Sequence, residues 1–348
     1  MGSVPPYAAI AQTVELAKQR HGIGASKLAN AVLRRLDRER GAPDPQVPTD
    51  QIAALELRFS HPRWLVSRWV ARWGAEETAV LLEANNHQAP LTVRPFGVVR
   101  EQLEAMLEAS GMAVADAPLA RDSVSIGGDV ALRELGAFQQ GLLFVQDPAA
   151  TLVTQYAAFP AGARVADLCA APGGKAVELS RTALYVIACD VSLARLGRLR
   201  QTMARLDTRN VHPLVCDARA AAIAPVDAVL VDAPCTGTGT FRRHPDARWR
   251  LTPVDIAALA ATQKSILHAA ASTVAPGGLL VYSTCSLEPE ENDAQVETFL
   301  ASHPDFSPEP PPEGSVPAAV LDAGCLRVLP HRHGTDGAFA ARMRRSVV

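Results

Sequence analysis

The period of the apolar positions changes along the chain, and each change marks a different kind of element. Over residues 6–40 apolar side chains recur three or four apart, through Ile10, Val14 and Ala17 and again through Leu28, Ala31, Val32 and Leu36, which is helical spacing. Gly22 and Gly24 fall between these sets and predict a break between two helices. Two helices cannot enclose a core, so the segment must pack on something else or belong to a larger helical domain. A Pro-rich stretch over 41–48 reads as a linker. Helical spacing resumes over 50–87, through Trp64, Leu65, Trp69, Val70 and Trp73. A strand at 91–95, a helix over 100–110 ended by Gly111, and a strand at 123–126 before Gly127 and Gly128 then predict a small α+β module reaching about Gln146.

From residue 160 the pattern becomes an alternation of strands and helices. Short apolar runs at 164–168, 185–188, 213–215, 228–231 and 279–282 are separated or followed by helical stretches at 176–181, 193–206, 253–274 and 292–301. This order predicts an α/β, doubly wound, mostly parallel sheet, with ligands bound outside the carboxyl ends of the strands. Three regions are expected: helices over 1–48, helices plus the α+β module over 49–145, and the parallel-sheet domain over 146–348.

Composition adds limits. At 348 residues with 48% apolar content, the chain can bury a sizeable core. Its net charge of −2 does not mark it as a nucleic-acid binder overall, but local charge differs. Residues 1–40 carry seven Lys/Arg against three Asp/Glu, residues 242–250 four Arg against one Asp, and residues 326–348 five Arg against one Asp. Such patches can form an electrostatic footprint, or can simply be solvated faces. Lys occurs only at 18, 27, 175 and 264, which makes Lys175, in a Gly-rich loop, conspicuous. The six cysteines include no C-x-x-C pair, so no metal is expected. Without a signal peptide or a long apolar run, the chain is expected in the cytosol with reduced thiols and no membrane partner.

The chemistry-bearing residues fall at predicted strand ends. The first strand runs into Asp167-Leu168-Cys169-Ala170-Ala171-Pro172-Gly173-Gly174-Lys175. This is neither the G-x-G-x-x-G fingerprint nor a P-loop, and no hydroxyl follows Lys175 to hold a magnesium ion. The next strands end in Asp190, Asp217 and Asp232. A single strand-end Asp is as readily a helix cap. Several of them around a Gly-rich loop suit a nucleoside without phosphates, such as S-adenosylmethionine. Cys235 follows the fourth strand and Cys285 the fifth, and adjacent strand ends can bring two thiols to one cleft. Cys189, Cys216 and Cys325 read as core packing.

The 167–175 segment, Asp232-Ala233-Pro234-Cys235-Thr236-Gly237-Thr238-Gly239, and Tyr282-Ser283-Thr284-Cys285-Ser286 with Pro289-Glu290-Glu291-Asn292 together resemble the Sun (Fmu, nucleolar-protein) family of RNA cytosine-5 methyltransferases. Val145-Gln146-Asp147-Pro148 and Arg242-Arg243-His244-Pro245-Asp246 with Trp249 fit as well, although Ala149-Ala150 stands where the family often has a Ser. The segment order is similar to that of bacterial members acting on small-subunit (16S) ribosomal RNA. Residues 5–34 resemble the last part of a NusB-like helical domain, so its earlier helices are expected to be absent, and 49–145 resemble an RRM-like module.

The resemblance implies a Rossmann-like fold with a seven-stranded sheet and a monomeric enzyme using S-adenosylmethionine. It assigns Cys285 as the nucleophile on C6 of cytosine, Cys235 to resolution of the adduct, Asp232 to N3, and Lys175 to orienting the base or Asp232. Cys169, Ala170, Ala171, Pro172, Gly173, Gly174, Lys175, Asp190, Asp217 and Asp232 would bind the cofactor, and Arg242, Arg243, His244, Arg248 and Trp249 the RNA. Other readings keep the chemistry on tRNA or 23S ribosomal RNA, make Cys235 the nucleophile of a DNA enzyme, or make the chain a non-catalytic assembly factor.

Overall fold

The computed structural model describes residues 5–39, 47–127 and 131–347, in two compact units, Met1–Ala54 and Leu55–Val348. Most of the expected 41–48 linker lies outside the described residues. In the first unit, α1 (Pro6–Arg38) is one long element kinked at Gly22, whose φ of 82° is left-handed backbone that Gly adopts freely. The predicted break is therefore present. It folds the element back, so that Pro6, Ala9 and Ile10 share a small groove with Leu33 and Leu36.

The second unit opens with the rest of α2 (Gln51–Phe59) and with α3 (Arg63–Asn86), kinked at Gly74. Of the apolar positions whose spacing predicts this helix, Leu65 and Trp69 are buried, together with Val66, Leu81 and Leu82, while Trp64, Val70 and Trp73 are half-buried. A four-stranded antiparallel sheet follows in the order β2-β3-β1-β4, formed by β1 (Leu91–Pro95), β2 (Ala113–Asp116), β3 (Val124–Gly127) and β4 (Leu143–Val145). The helices α4 (Arg100–Ala109) and α5 (Gly136–Gln139) accompany it, and Val93, Leu103, Leu107, Val124 and Leu143 make its core.

The large sheet is nine-stranded among the described residues. Its parallel half runs β7 (Val211–Val215), β6 (Tyr185–Asp190), β5 (Arg164–Asp167), β8 (Val226–Asp232) and β9 (Val274–Thr284). Val165, Val229, Leu230 and Val231 are buried, as continuous apolar strands must be when both faces are covered. Helices α6 (Pro148–Ala157), α7 (Gly174–Leu179), α8 (Leu193–Arg205), α10 (Pro253–Ala271) and α11 (Asp293–Ser302) cover them. Caps fix their starts: Asp147 accepts from Ala149 N–H at 2.8 Å, and Asp255 accepts from Thr252 N–H at 2.8 Å in a reciprocal capping box.

Beyond β9 the sheet turns antiparallel and exceeds the seven strands expected. β13 (Ala338–Arg345) pairs with β9, β12 (Cys325–Val328) with β13, β11 (Leu321–Asp322) with β12, and β10 (Phe306–Pro308) with β13. This corrects the reading of 326–348 as a basic footprint. Arg342 is buried in the sheet and bonded to Glu309 at 2.8 Å, Arg344 also binds Glu309 at 2.7 Å, and Arg345 binds Asp305 at 3.0 Å. Each Arg is neutralised by a partner far away in sequence. No described helix is long and apolar enough to cross a membrane.

Arg248, on the short α9 (Ala247–Arg250), is also not where its sequence context placed it. It is 2% exposed and donates to Asn86 Oδ1 at 2.7 Å and to the Asn85 carbonyl at 3.1 Å, beside the fully buried His61. It braces the end of α3 and is not available to phosphates. Burial, and then the Arg248 charge, push the His61 imidazole down to about 3. The unfolded chain therefore takes up a proton on this residue below about pH 6.5 that the folded chain refuses until about pH 3. Stability should be full above pH 6.5 and fall as pH drops through this window, by up to about 1.4 kcal/mol per unit. A His61→Phe variant should flatten that slope in urea titrations between pH 4 and 6.5, and an unchanged slope would contradict the assignment.

Candidate active site

The loop after β5 is shaped by what packs behind it. Gly173 has a φ of 112°, and a Cβ there would lie 2.3 Å from Leu199 Cδ1, so the turn into α7 needs Gly. Asp190, at the end of β6, accepts from Ala171 N–H at 3.2 Å and from Ser192 N–H at 2.9 Å. It thus ties the first loop to the start of α8 while facing the cleft. Asp217 caps the turn after β7, accepting from Arg219 N–H at 2.9 Å, and lines the same cleft. Both acids thus cap the turns that follow their strands and also line the cleft.

The cleft has a volume of about 570 Å³, within the range of small-molecule sites. Cys169, Ala171, Pro172, Asp190, Asp217 and Asp232 line it. Ala170, Gly173 and Gly174 hold the loop from behind and do not. A second cavity of about 150 Å³ is lined by Asp147, Lys175, Asp232, Thr240, Cys285 and Asp336. Asp232, Ala233 and Cys285 are common to both, so they form the wall between them.

That wall is set by the pairing of β8 with β9, in which Asp232 lies beside Ser283. Ser283 Oγ donates to Asp232 Oδ1 at 2.8 Å and Lys175 Nζ donates to Asp232 Oδ2 at 2.7 Å. Burial pulls the Lys175 ammonium down, but the Asp232 charge and hydrogen bond outweigh it and hold it above its ordinary value. Asp167, wholly buried at the end of β5, is pushed up to about 7, first by burial and then by Asp232. Cys235 and Cys285 Sγ atoms lie 3.3 Å apart. The bond to Cys285, and then burial, push the Cys235 thiol well up. A thiol pair beside an ammonium, with a carboxylate between two cavities, suits addition of a thiolate to an electrophilic carbon held in the smaller one.

The basic block behaves differently from its sequence reading. Arg242 binds Asp336 at 2.9 Å, and Arg243 bridges Asp147 at 2.6 Å and Asp336 at 2.7 Å. Burial, and then the Asp147 charge, push the Asp336 carboxyl up to about 6. These guanidiniums are spent inside the protein and brace the small cavity. His244 and Trp249 are exposed, Trp249 at 58%, so this ring is not core. Cys189 is buried as expected, whereas Cys216 lines the larger cleft. Sequence reasoning missed Ser283, Asp336 and Arg195, which bonds the Ala171 carbonyl. For Ser283 a signal existed, since it lies at the end of β9, two residues before Cys285.

Gly239 shows how tightly the cysteine loops are joined. Its N–H donates to the Cys285 carbonyl at 3.0 Å, and its own carbonyl accepts from Gly337 N–H at 2.8 Å. A Cβ at 239 would lie 2.7 Å from both Cys285 O and Gly337 Cα, backbone atoms that no rotamer change can move. Gly239→Ala should lower the unfolding free energy by about 1–3 kcal/mol in a denaturant titration, and a neutral result would refute this close approach.

Known proteins resemble the chain throughout. A family model described as 16S rRNA methyltransferase RsmB/F matches residues 158–344, one for the ferredoxin-like domain of RsmF/B-like methyltransferases matches 61–133, and the NusB family matches 1–38. The chain is 36% identical to the probable ribosomal RNA small subunit methyltransferase B of Bacillus subtilis, over 98% of this chain and 79% of that protein. It is 37% identical to the ribosomal RNA small subunit methyltransferase B of Vibrio cholerae, over 97% and 76%. A methyltransferase homologue from Pyrococcus horikoshii has a similar solved structure, with a TM-score of 0.72 at 28% identity, covering 86% of this chain and 100% of that one.

Proposed function

Because the chain belongs to the RsmB/F family of 16S rRNA methyltransferases, we propose that it methylates C5 of a cytosine in 16S ribosomal RNA, with S-adenosylmethionine as donor and Cys285 as covalent nucleophile. The observation that carries this reading is the position of Cys285 in the wall between the two cavities, 3.3 Å from Cys235 and beside Asp232. The names of the relatives favour the small-subunit target.

The donor set of the larger cleft fits the cofactor. Its carboxylates suit ribose hydroxyls, an adenine amino group and a positively charged amino acid portion, and both its arginines, Arg195 and Arg219, are already paired with Asp190 and Asp217. Asp190 would hold the ribose, Asp217 the adenine side, and the 168–173 backbone the remainder. When bound, the cofactor supplies an electrophilic methyl group.

C5 of cytosine is too weak a nucleophile on its own. Addition of the Cys285 thiolate to C6 breaks the aromaticity and makes C5 enamine-like. Asp232, which accepts from the Lys175 ammonium, is placed to pass a proton from it to N3, and that proton stabilises the adduct. After methyl transfer, loss of the C5 proton expels Cys285, and Cys235 assists this breakdown. The small cavity cannot receive a base inside a helix, so the target must be unpaired or flipped out. Of the residues assigned to RNA in the 242–250 block, His244 and Trp249 remain exposed, with Trp249 as a stacking face, and the exposed Arg250 beside them is paired only with the equally exposed Asp246. Residues 1–48 and 49–145 are assigned to RNA recruitment and 146–348 to catalysis.

Cys285→Ala should reduce methyl transfer to ribosomal RNA by at least about a thousandfold with cofactor affinity kept. Cys235→Ala should instead accumulate a denaturant-stable protein–RNA complex. Free turnover by Cys235→Ala counts against its role, and activity retained by Cys285→Ala overturns the mechanism. Bisulfite sequencing of ribosomal RNA from a deletion strain tests the target.

A further inference from the structure

Glu291 is fully buried in the turn ahead of α11, and among the described residues no Lys or Arg is paired with it. A buried carboxylate without a cation costs several kcal/mol unless donors replace its water. Here the donors come from the two cysteine loops and from α10. Oε1 accepts from Thr236 N–H at 2.9 Å and from Gln263 Nε2 at 3.0 Å, and Oε2 accepts from the hydroxyls of Thr236 and Ser286. Thr236 directly follows Cys235, and Ser286 directly follows Cys285. Gln263 also donates to the Pro234 carbonyl at 2.9 Å, on the other side of Cys235. Asn292 completes the clamp, accepting from Thr284 Oγ1 at 2.6 Å and donating to the Ser286 carbonyl at 2.9 Å, on both sides of Cys285.

We propose that Glu291 is the positioning residue of the thiol pair: one carboxylate, satisfied only while both loops stay in place, fixes Cys235 against Cys285. A glutamine there could keep the two bonds at Oε1, but at the other position its amide would have to donate to the Thr236 and Ser286 hydroxyls, which must turn their protons away, so the two charge-assisted links to the cysteine loops are lost. The charge has a second effect in the same direction. After the bond to Cys285 and burial, Glu291 is among the groups that keep Cys235 protonated, while Lys175 lies on the Cys285 side. The inference rests on the roles proposed for the two thiols, but its geometry can be tested without RNA.

Diamide oxidises two adjacent thiols to a disulfide: both sulfurs lose their hydrogens, and the diazene takes them up to become a hydrazine. In the wild-type chain, peptide mapping should find the Cys235–Cys285 disulfide forming ahead of any other. Glu291→Gln, with cofactor binding and thermal midpoint near those of wild type, should form it at least about tenfold more slowly. Its kcat for methyl transfer should fall about 10- to 100-fold while KM for RNA stays within about threefold. A purely structural role would lower the thermal midpoint and leave the disulfide rate of the folded fraction unchanged. Disulfide formation at the wild-type rate in folded Glu291→Gln overturns the proposal. If that variant does not fold, the Thr236→Val/Ser286→Ala double variant, which keeps the carboxylate but removes its hydroxyl links, decides by the same measurement. A wild-type chain that forms the disulfide but leaves cytosine unmethylated would sink the proposed function and leave the role of Glu291 standing.

Discussion

The lateral pairing of β8 with β9 is the constraint from which the rest of the site follows. Parallel strands lie about 4.8 Å apart, so placing Asp232 beside Ser283 also places the two loops leaving these strands side by side. Cys235 and Cys285 are fifty residues apart in sequence and meet because their strands are neighbours. A one-residue slip would turn Ser283 away from Asp232 and Cys285 away from the cavity wall. Much of the surrounding structure resists such a slip. Gly239 touches the backbone at 285 and 337, and β13 holds the other edge of β9 from Leu279 to Thr284.

The parallel half of this architecture was legible because its signal is local. Apolar runs ending in Asp locate β5, β6 and β8 to within a few residues, and the run before Cys285 locates the end of β9, which begins five residues before that run. The Gly-rich loop was recognisable for the same reason. What escaped were the elements whose character depends on distant partners. β13 looks like a basic tail in one dimension, because Arg342, Arg344 and Arg345 hide the alternation of Phe339, Ala341 and Met343. In the fold each guanidinium meets a carboxylate or a backbone carbonyl, and the run becomes a central strand.

The same limit explains the arginines of the 242–250 block. Charge counting records cations and says nothing of their counterions. Asp147 and Asp336 lie about 95 residues before and after the block in sequence, beyond the reach of any local pattern. Together they take up Arg242 and Arg243. Glu291 is a sharper instance. Nothing at its own position announces its importance, which lies in donors brought to it from Thr236, Gln263 and Ser286.

The internal pairing of Arg242 and Arg243 has a thermodynamic consequence for the RNA contact proposed for this block. Only cations that displace ions condensed on the phosphate backbone steepen the loss of affinity with added salt. Guanidiniums already neutralised within the protein displace none. The block therefore offers a stacking ring, an imidazole and one exposed guanidinium, Arg250, where its sequence suggested a row of phosphate clamps, so its share of the proposed RNA contact would lose little more than one phosphate contact as salt is raised.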